Sequence, residues 1–394
     1  MRKSQLDISG VHERAIAAMA IVGVAALMTV GTAERAHGQT FQDVNDNNGA
    51  CDTSSPACDI AGTAGAGEVG GQPEVQSDGL SSAQRQAIEQ RLRDERCKAD
   101  KSANCVQPGG GAADTASFAG LNLFVSGDYQ NKEKDQAAEA GFTSDRAGIT
   151  FGLDSPMDWG VIGGAFSYNH TWGQFDDNGG DFGLDSWSGL LYGSYYPSDA
   201  SFIDGVIGLG LKKSLTDRRV INNGNILAGD AKGDTAGFEF QTSVSGGYDF
   251  TFDNFTVGPR LGIHYLRTEY NAFTETGTPM ALNYPDQVED SLTSTLGFQG
   301  SVAISTSFGV VVPQVNAEYV HEFLNDRRTV HATELDGDAA TFVTDPPDRD
   351  YFNVGAGLVF VLPDGVSPFL SYSAEVANRF EEVHTVTAGV RIEM

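Results

Sequence analysis

Residues 311–323 read Val-Val-Pro-Gln-Val-Asn-Ala-Glu-Tyr-Val-His-Glu-Phe. Taken at every second position, they separate into two sets. Val311, Pro313, Val315, Ala317, Tyr319 and Phe323 share one parity, which only His321 interrupts. Val312, Gln314, Asn316, Glu318, Val320 and Glu322 share the other. A period of two belongs to an extended strand, whose successive side chains leave on opposite faces. One face of this strand is greasy and the other carries amides and carboxylates, so the strand fits a boundary between an apolar phase and water.

The same alternation recurs on both sides of this stretch. Near the C-terminus, Val386, Ala388, Val390, Ile392 and Met394 oppose Thr385, Thr387, Gly389, Arg391 and Glu393. Phe238, Phe240, Val244, Tyr248 and Phe250 oppose Gly237, Glu239, Gln241, Ser243, Ser245 and Asp249. Twelve segments follow the pattern: 118–131, 139–154, 159–172, 183–196, 202–214, 233–250, 255–270, 287–305, 308–323, 350–362, 366–377 and 383–394. Many exceed the ~5–6 residues of a soluble strand and suit the ~9–11 that cross a bilayer at a tilt. The number is even, as bacterial outer-membrane barrels require.

The spacing of the segments predicts short connections after even-numbered strands, at 155–158, 197–201, 251–254, 306–307 and 363–365. It predicts long ones after odd-numbered strands, at 173–182, 215–232, 271–286 and 324–349. Short periplasmic turns and long external loops are the rule in such barrels. A sheet in hydrocarbon must close on itself, because each unpaired backbone group there costs several kcal/mol. The expected fold is therefore all-β: a twelve-stranded antiparallel transmembrane barrel over 118–394. Its polar parity lines a wet lumen with Lys212, Arg260, His264, Glu318, Glu322, Glu375 and Arg391. Trp172, Tyr195 and Tyr248 fall near strand ends, where aromatic belts occur. A soluble β-sandwich also alternates, but strand length, the even count and one-sided loops argue against it.

Composition agrees. The chain has 394 residues, 48 of them Gly, and a net charge of −28 from 53 acidic and 25 basic residues. That charge argues against nucleic-acid partners and anionic headgroups. Apart from the N-terminus, no run of ~20 apolar residues exists to make a membrane helix.

The first 117 residues read differently. Arg2, Lys3 and Arg14 precede an uncharged apolar run over 15–30, and small residues follow at Ala36-His37-Gly38. This is the pattern of a secretory signal over 1–38, with an uncleaved anchor as the alternative. Residues 39–80 are acidic, rich in Gly and Asn and without periodicity, and are expected to remain disordered. Asp43, Asn45 and Asn47 imitate the start of a calcium loop, but its Gly and Glu positions are not met. Residues 81–117 hold a basic helix and a linker. Ser81 and Gln84 have capping-box spacing. Ala87, Ile88 and Leu92 form a narrow apolar stripe, and Arg85, Arg91, Arg93 and Arg96 occupy the other faces. Cys51, Cys58, Cys97 and Cys105 are disulfide candidates in an exported chain, with the connectivity open. A zinc site is the weaker alternative, because neither spacing is that of a zinc ribbon.

The stretch 118–394 resembles the translocator β-domain of type V secretion autotransporters. The carrying residues are Leu190-Leu191-Tyr192-Gly193-Ser194-Tyr195-Tyr196, Gly247-Tyr248, Val257-Gly258-Pro259-Arg260-Leu261 with Tyr265, Leu296-Gly297, Val312-Pro313 and Tyr319-Val320-His321-Glu322-Phe323. The resemblance implies a twelve-stranded outer-membrane barrel threaded by a helix, here the one with Arg85, Arg91, Arg93 and Arg96. It implies location in the outer membrane of a Gram-negative bacterium, reached by secretory export. It also implies insertion by the barrel-assembly machinery with periplasmic chaperones, and export of an N-terminal passenger for display at the cell surface; a monomer among membrane lipids is expected. Two departures stand out. The last apolar-parity residue is Met394 instead of an aromatic, and residues 39–117 are a short passenger without β-helix repeats.

No nucleophile elbow, phosphate loop or zinc-protease helix occurs. Asn169-His170, His321-Glu322 and the acidic trio Asp176, Asp177 and Asp181 are read as rim and loop residues. No enzyme activity, metal or cofactor is expected. Family members that cut themselves use an Asn-Asn pair in the helix, and 81–98 has none. The alternative function is a stand-alone adhesin or porin that acts through its external loops.

Overall fold

The computed structural model describes Ile88, Leu92 and residues 121–393, apart from 136–140, 223–224, 325, 336 and 345–346. The expected signal segment 1–38, the segment 39–80, the four cysteines and the helix arginines Arg85, Arg91, Arg93 and Arg96 lie outside the described residues.

Twelve long strands close into one antiparallel ring. In chain order they are β1 (Asn122–Lys134), β2 (Phe142–Met157), β3 (Gly160–Phe175), β4 (Gly180–Tyr195), β5 (Ser201–Asn222), β6 (Asn225–Tyr248), β8 (Phe255–Tyr270), β11 (Gln287–Val302), β13 (Gly309–Glu322), β16 (Asp350–Val361), β17 (Val366–Val376) and β18 (Glu381–Glu393). Each pairs with the next, and β1 pairs with β18 from Asn122↔Glu393 to Lys134↔Glu381, so no edge remains. Two short strands continue neighbours across the turns: β7 (Phe250–Phe252) beside β8 and β12 (Ile304–Thr306) beside β13. The twelve expected segments fall on the twelve wall strands.

Burial follows the parity. On β4, Phe182, Leu184, Ser186, Ser188, Leu190, Tyr192 and Ser194 are buried, and Trp187, Leu191 and Tyr195 are exposed. Leu191, Leu211, Phe298, Leu261 and Ile263 are among the most exposed large side chains. In water such a surface would aggregate; in a bilayer it is the surface that meets lipid.

Two expectations are corrected. The stretches 173–182 and 215–232 are not long loops. At the first, β3 and β4 run on to a single 3-10 turn (Asp176–Asn178). Gly180 closes that turn with φ +115°, where a Cβ would collide with the Asp217 carbonyl oxygen. At the second, β5 and β6 extend to 22 and 24 residues and stay paired across a bulge at Arg219/Ile221. Lys213–Asp234, Lys232–Asp217 and Arg219–Asp230 run across this extension at 3.5, 3.3 and 3.7 Å. Backbone pairing continues beyond the lipid, while the apolar parity stops with it.

The long connections 271–286 and 324–349 also hold strands of their own. β9 (Phe273–Thr274), β10 (Leu282–Tyr284), β14 (Thr329–Glu334) and β15 (Ala339–Val343) form a separate sheet in the order β15-β14-β10-β9. It joins two different loops, because β10 pairs with β14 through Leu282↔Glu334 and Asn283↔Thr333.

Candidate functional site

The site is the lumen, and three layers fill it. The first lies toward the short-turn end. Ile88 and Leu92 are helical, four residues apart and therefore on one helix face. Both are fully buried, in a cluster with Phe124, Val161, Leu190 and Tyr192. Phe124 and Tyr192 meet edge-to-face at 6.3 Å. The Tyr192 hydroxyl donates to Asp154 Oδ2 at 3.1 Å, and Asn122 Nδ2 donates to Asp154 Oδ1 at 3.2 Å. The wall thus presents an apolar seat to the two helix residues within an otherwise polar interior. The described contact between helix and wall is apolar.

The second layer is ionic. Lys212 Nζ lies 2.6 Å from Glu239 Oε2, with both side chains all but inaccessible. Arg146 lies 3.0 Å from Asp128 and donates to Asn169 at 3.4 Å. Arg260 donates to Ser245 at 2.9 Å, with Glu318 at 3.8 Å and Asp204 at 4.0 Å. Arg391 is buried. Unpaired charges in such a place would cost several kcal/mol each, so the pairing is required for the layer to exist at all. His264, Glu322 and Glu375 border a cavity of about 140 Å³, which Ile88 also lines. Glu322 also accepts from Ser291 Oγ at 2.5 Å and from the Leu292 and Leu324 amides, which fixes the root of the loop after β13. Glu375 accepts from Asn378 at 2.5 Å.

The third layer is the loop sheet. Phe273, Leu282, Tyr284, Val330 and Ala332 from the loops are buried against Phe142, Phe175 and Phe182 of the wall, with Met280 beside them. Arg218, at the far end of β5, reaches into this layer and grips Glu275 in a two-pronged contact, Nε to Oε1 at 3.0 Å and Nη2 to Oε2 at 2.6 Å. The same guanidinium donates to the Met280 carbonyl at 3.1 Å, and Glu275 accepts from the Leu282 amide at 3.0 Å. Burial alone would lower the Arg218 guanidinium; Tyr284 and Glu275 outweigh it and hold it above its ordinary value. Burial, and then the Glu275 charge, pushes the Tyr284 hydroxyl up.

Outside the ring, a unit repeats at the long-loop end. Tyr129 and Asn131 both donate to Asp145, at 2.5 and 3.0 Å. Tyr168 and His170 meet Asp185 at 2.7 and 2.9 Å. Tyr265 and Arg267 meet Asp290 at 2.6 and 3.1 Å. Tyr319 and His321 meet Asp350. An aromatic body with a polar tip suits a membrane boundary. Trp172 lies at this end. At the opposite end, Trp159 and Tyr195 pair at 6.5 Å, and Tyr248 and Phe250 at 4.8 Å. His170 and His321 therefore belong to a belt. The signal that would have found it is Tyr-x-Asn, Tyr-x-His or Tyr-x-Arg, repeated on alternate strands with Asp on the next.

The family model for the autotransporter beta-domain matches residues 123–373. The chain is 25% identical over 279 residues to outer membrane protein B of Rickettsia prowazekii, a match covering 67% of this chain and 17% of that protein. It thus spans less than a fifth of the length of this curated relative. The translocator domain of autotransporter NalP from Neisseria meningitidis superposes with a TM-score of 0.58 at 17% identity, over 79% of this chain and 98% of that one. The beta domain of the Bordetella autotransporter Brka gives 0.53 at 15% identity, over 70% and 100%. At these identities the two likenesses show a shared fold. The chain is a translocator-type barrel of a Gram-negative outer membrane. It belongs to the autotransporter beta-domain family.

Proposed function

We propose that this barrel is an outer-membrane anchor at rest. In this reading the helix over 81–97 sits in the lumen and tethers the acidic segment 39–80 without displaying it at the cell surface. The signal segment 1–38 is removed on export, and Cys51, Cys58, Cys97 and Cys105 pair in the oxidising periplasm. Insertion proceeds through the barrel-assembly machinery with periplasmic chaperones, and the product is a monomer among lipids. We assign it no catalytic role: His170 and His321 are hydrogen-bonded belt residues.

The observation that carries this reading is the apolar seat. Two helical residues four apart, Ile88 and Leu92, are fully buried against inward residues of β1, β3 and β4. Burying a Leu or Ile is worth about 1.5–3 kcal/mol each. A second reading, a barrel that binds through its external loops, is favoured by the sheet those loops build from β9, β10, β14 and β15.

A membrane-impermeant maleimide on intact, reduced cells separates retention from display. The probe is Cys51 in a chain whose other three cysteines are serine, with a cysteine at exposed Thr333 as the external control. Retention predicts that Cys51 reacts only after the outer membrane is permeabilised. Reaction in intact cells would establish display and overturn the retained state.

A further inference from the structure

The ring order places β13 six strands from β3 in either direction, so the two strands face each other across the barrel. The loop that follows β13 carries Val330 and Ala332, which pack in one cluster with Phe175 of β3 and Phe182 of β4. The loop that follows β8 carries Phe273, Leu282 and Tyr284 into the same cluster. Two loops rooted on one side of the mouth therefore cross it and bury their apolar faces on the opposite inner wall. Phe142 and Phe182 meet edge-to-face at 5.7 Å, Phe175 and Phe182 at 5.2 Å, and Phe273 stacks on Tyr284 at 4.9 Å. A bridge between Lys232 and Thr276 ties the sheet to β6.

This roof has a core of its own and shares no residue with the seat of Ile88 and Leu92. Aromatic burial drives it shut. The buried Arg218–Glu275 pair adds position more than energy, because desolvation offsets much of its attraction. A two-pronged contact with one geometry fixes where the loop after β8 lands. Below the loop sheet the lumen keeps a cavity of about 140 Å³, bordered by His264, Glu322 and Glu375.

We propose that the loop sheet is a second seal of the lumen, independent of the helix, and that the Arg218–Glu275 contact is its latch. The proposal extends the resting-anchor reading and rests on it for the helix as the first seal. The barrel is then shut at both ends, and loss of the helix alone does not make a pore.

Planar-bilayer conductance of the full chain tests this. Ile88→Asp with Leu92→Asp breaks the inner seal. A short Gly-Ser linker in place of residues 272–285 removes β9, β10 and Glu275 from the roof. Each change alone is expected to leave conductance within about threefold of the parent, and the two together to raise it at least tenfold. A large sustained current from the helix variant alone would overturn the second seal. A large current from the roof variant alone would overturn independence. Silence of the combined variant, with heat-modifiable mobility showing a folded barrel, would overturn the roof as a gate. The latch is read separately: in the Ile88→Asp/Leu92→Asp background, Glu275→Ala should raise the frequency of openings several-fold, and an unchanged frequency would remove that assignment. Cys51 labelling is indifferent to all four currents, so failure of the retained state and failure of the second seal are distinguishable.

Discussion

The two ends of the lumen are closed by different chemistry. At the inner end, two aliphatic side chains of a separate helix rest on an apolar seat made by Phe124, Val161, Leu190 and Tyr192. At the outer end, loops that belong to the wall fold over the mouth, bury an aromatic cluster and lock it with a charged pair. The seat meets Ile88 and Leu92 with apolar side chains, which suits an element that slides in along the axis. The roof combines apolar burial with one directional contact, so it suits an element that must land in one place. A layer of ion pairs lies between them and fills the middle of the barrel.

The largest expected effect breaks the roof alone. Glu275→Ala leaves Arg218 buried without its carboxylate and should cost about 3–5 kcal/mol. Urea unfolding in detergent, followed by heat-modifiable mobility, measures it. Protease access to residues 272–285 should rise, while the inner seat stays protected.

The next effect breaks the seat alone. Leu92→Ala should weaken docking of the helix by about 2–4 kcal/mol through lost contacts and a cavity. Trypsin reads this at Arg91, Arg93 and Arg96, which should become cleavable in the folded barrel while the roof remains closed. Equal protection of parent and variant would separate the helix from the seat.

A smaller effect probes the layer between. Lys212→Met alone leaves Glu239 buried without its nearest cation and should destabilise, whereas Lys212→Met with Glu239→Leu should be neutral or gain about 1–4 kcal/mol. A double variant as weak as the single one would show that the pair supplies net stability.

The smallest effect lies outside both closures, where Arg379 holds Asp348 at 2.9 Å. The Arg379 hydrogen bond keeps the Asp348 carboxyl below its ordinary value of 3.8. A depressed carboxylate stabilises fully above that ordinary value, and the contribution is lost as pH falls through the lowered one. Arg379→Ala should therefore change thermal stability slightly at neutral pH and not at all in strong acid. A difference that grows on acidification would contradict the assignment.

Much of this was legible in the sequence. The parity of 311–323 and its repeats gave twelve strands, their direction and the face that meets lipid. Lys212, Arg260, His264, Glu318, Glu322, Glu375 and Arg391 were named from the polar parity; Lys212, Arg260 and Glu318 stand in ion pairs, His264, Glu322 and Glu375 line the cavity, and Arg391 is buried. The extension of β5 and β6 was hidden, because above the lipid both faces are polar and the period of two disappears while pairing continues. The roof was hidden for a related reason: Phe175 and Phe182 stood in the expected connection 173–182, Phe142 lay near a strand end, and their loop partners lie about 90 to 190 residues along the chain. Arg218 stood in what read as a loop. The inner seat did leave a trace. Phe124, Leu190 and Tyr192 are large apolar residues on the otherwise polar parity, and such exceptions mark where something is received.

The whole account depends on closure of residues 122–393 into one ring, and the β1–β18 seam tests it most directly. Val125 and Val390 are register partners there, on the lipid-facing parity. With the four native cysteines replaced by serine, Val125→Cys and Val390→Cys should form an intrachain disulfide in native outer membranes, and the oxidised chain should keep an altered mobility after boiling until reductant is added. Absence of that bond, or its formation only between separate chains, would contradict the closed barrel.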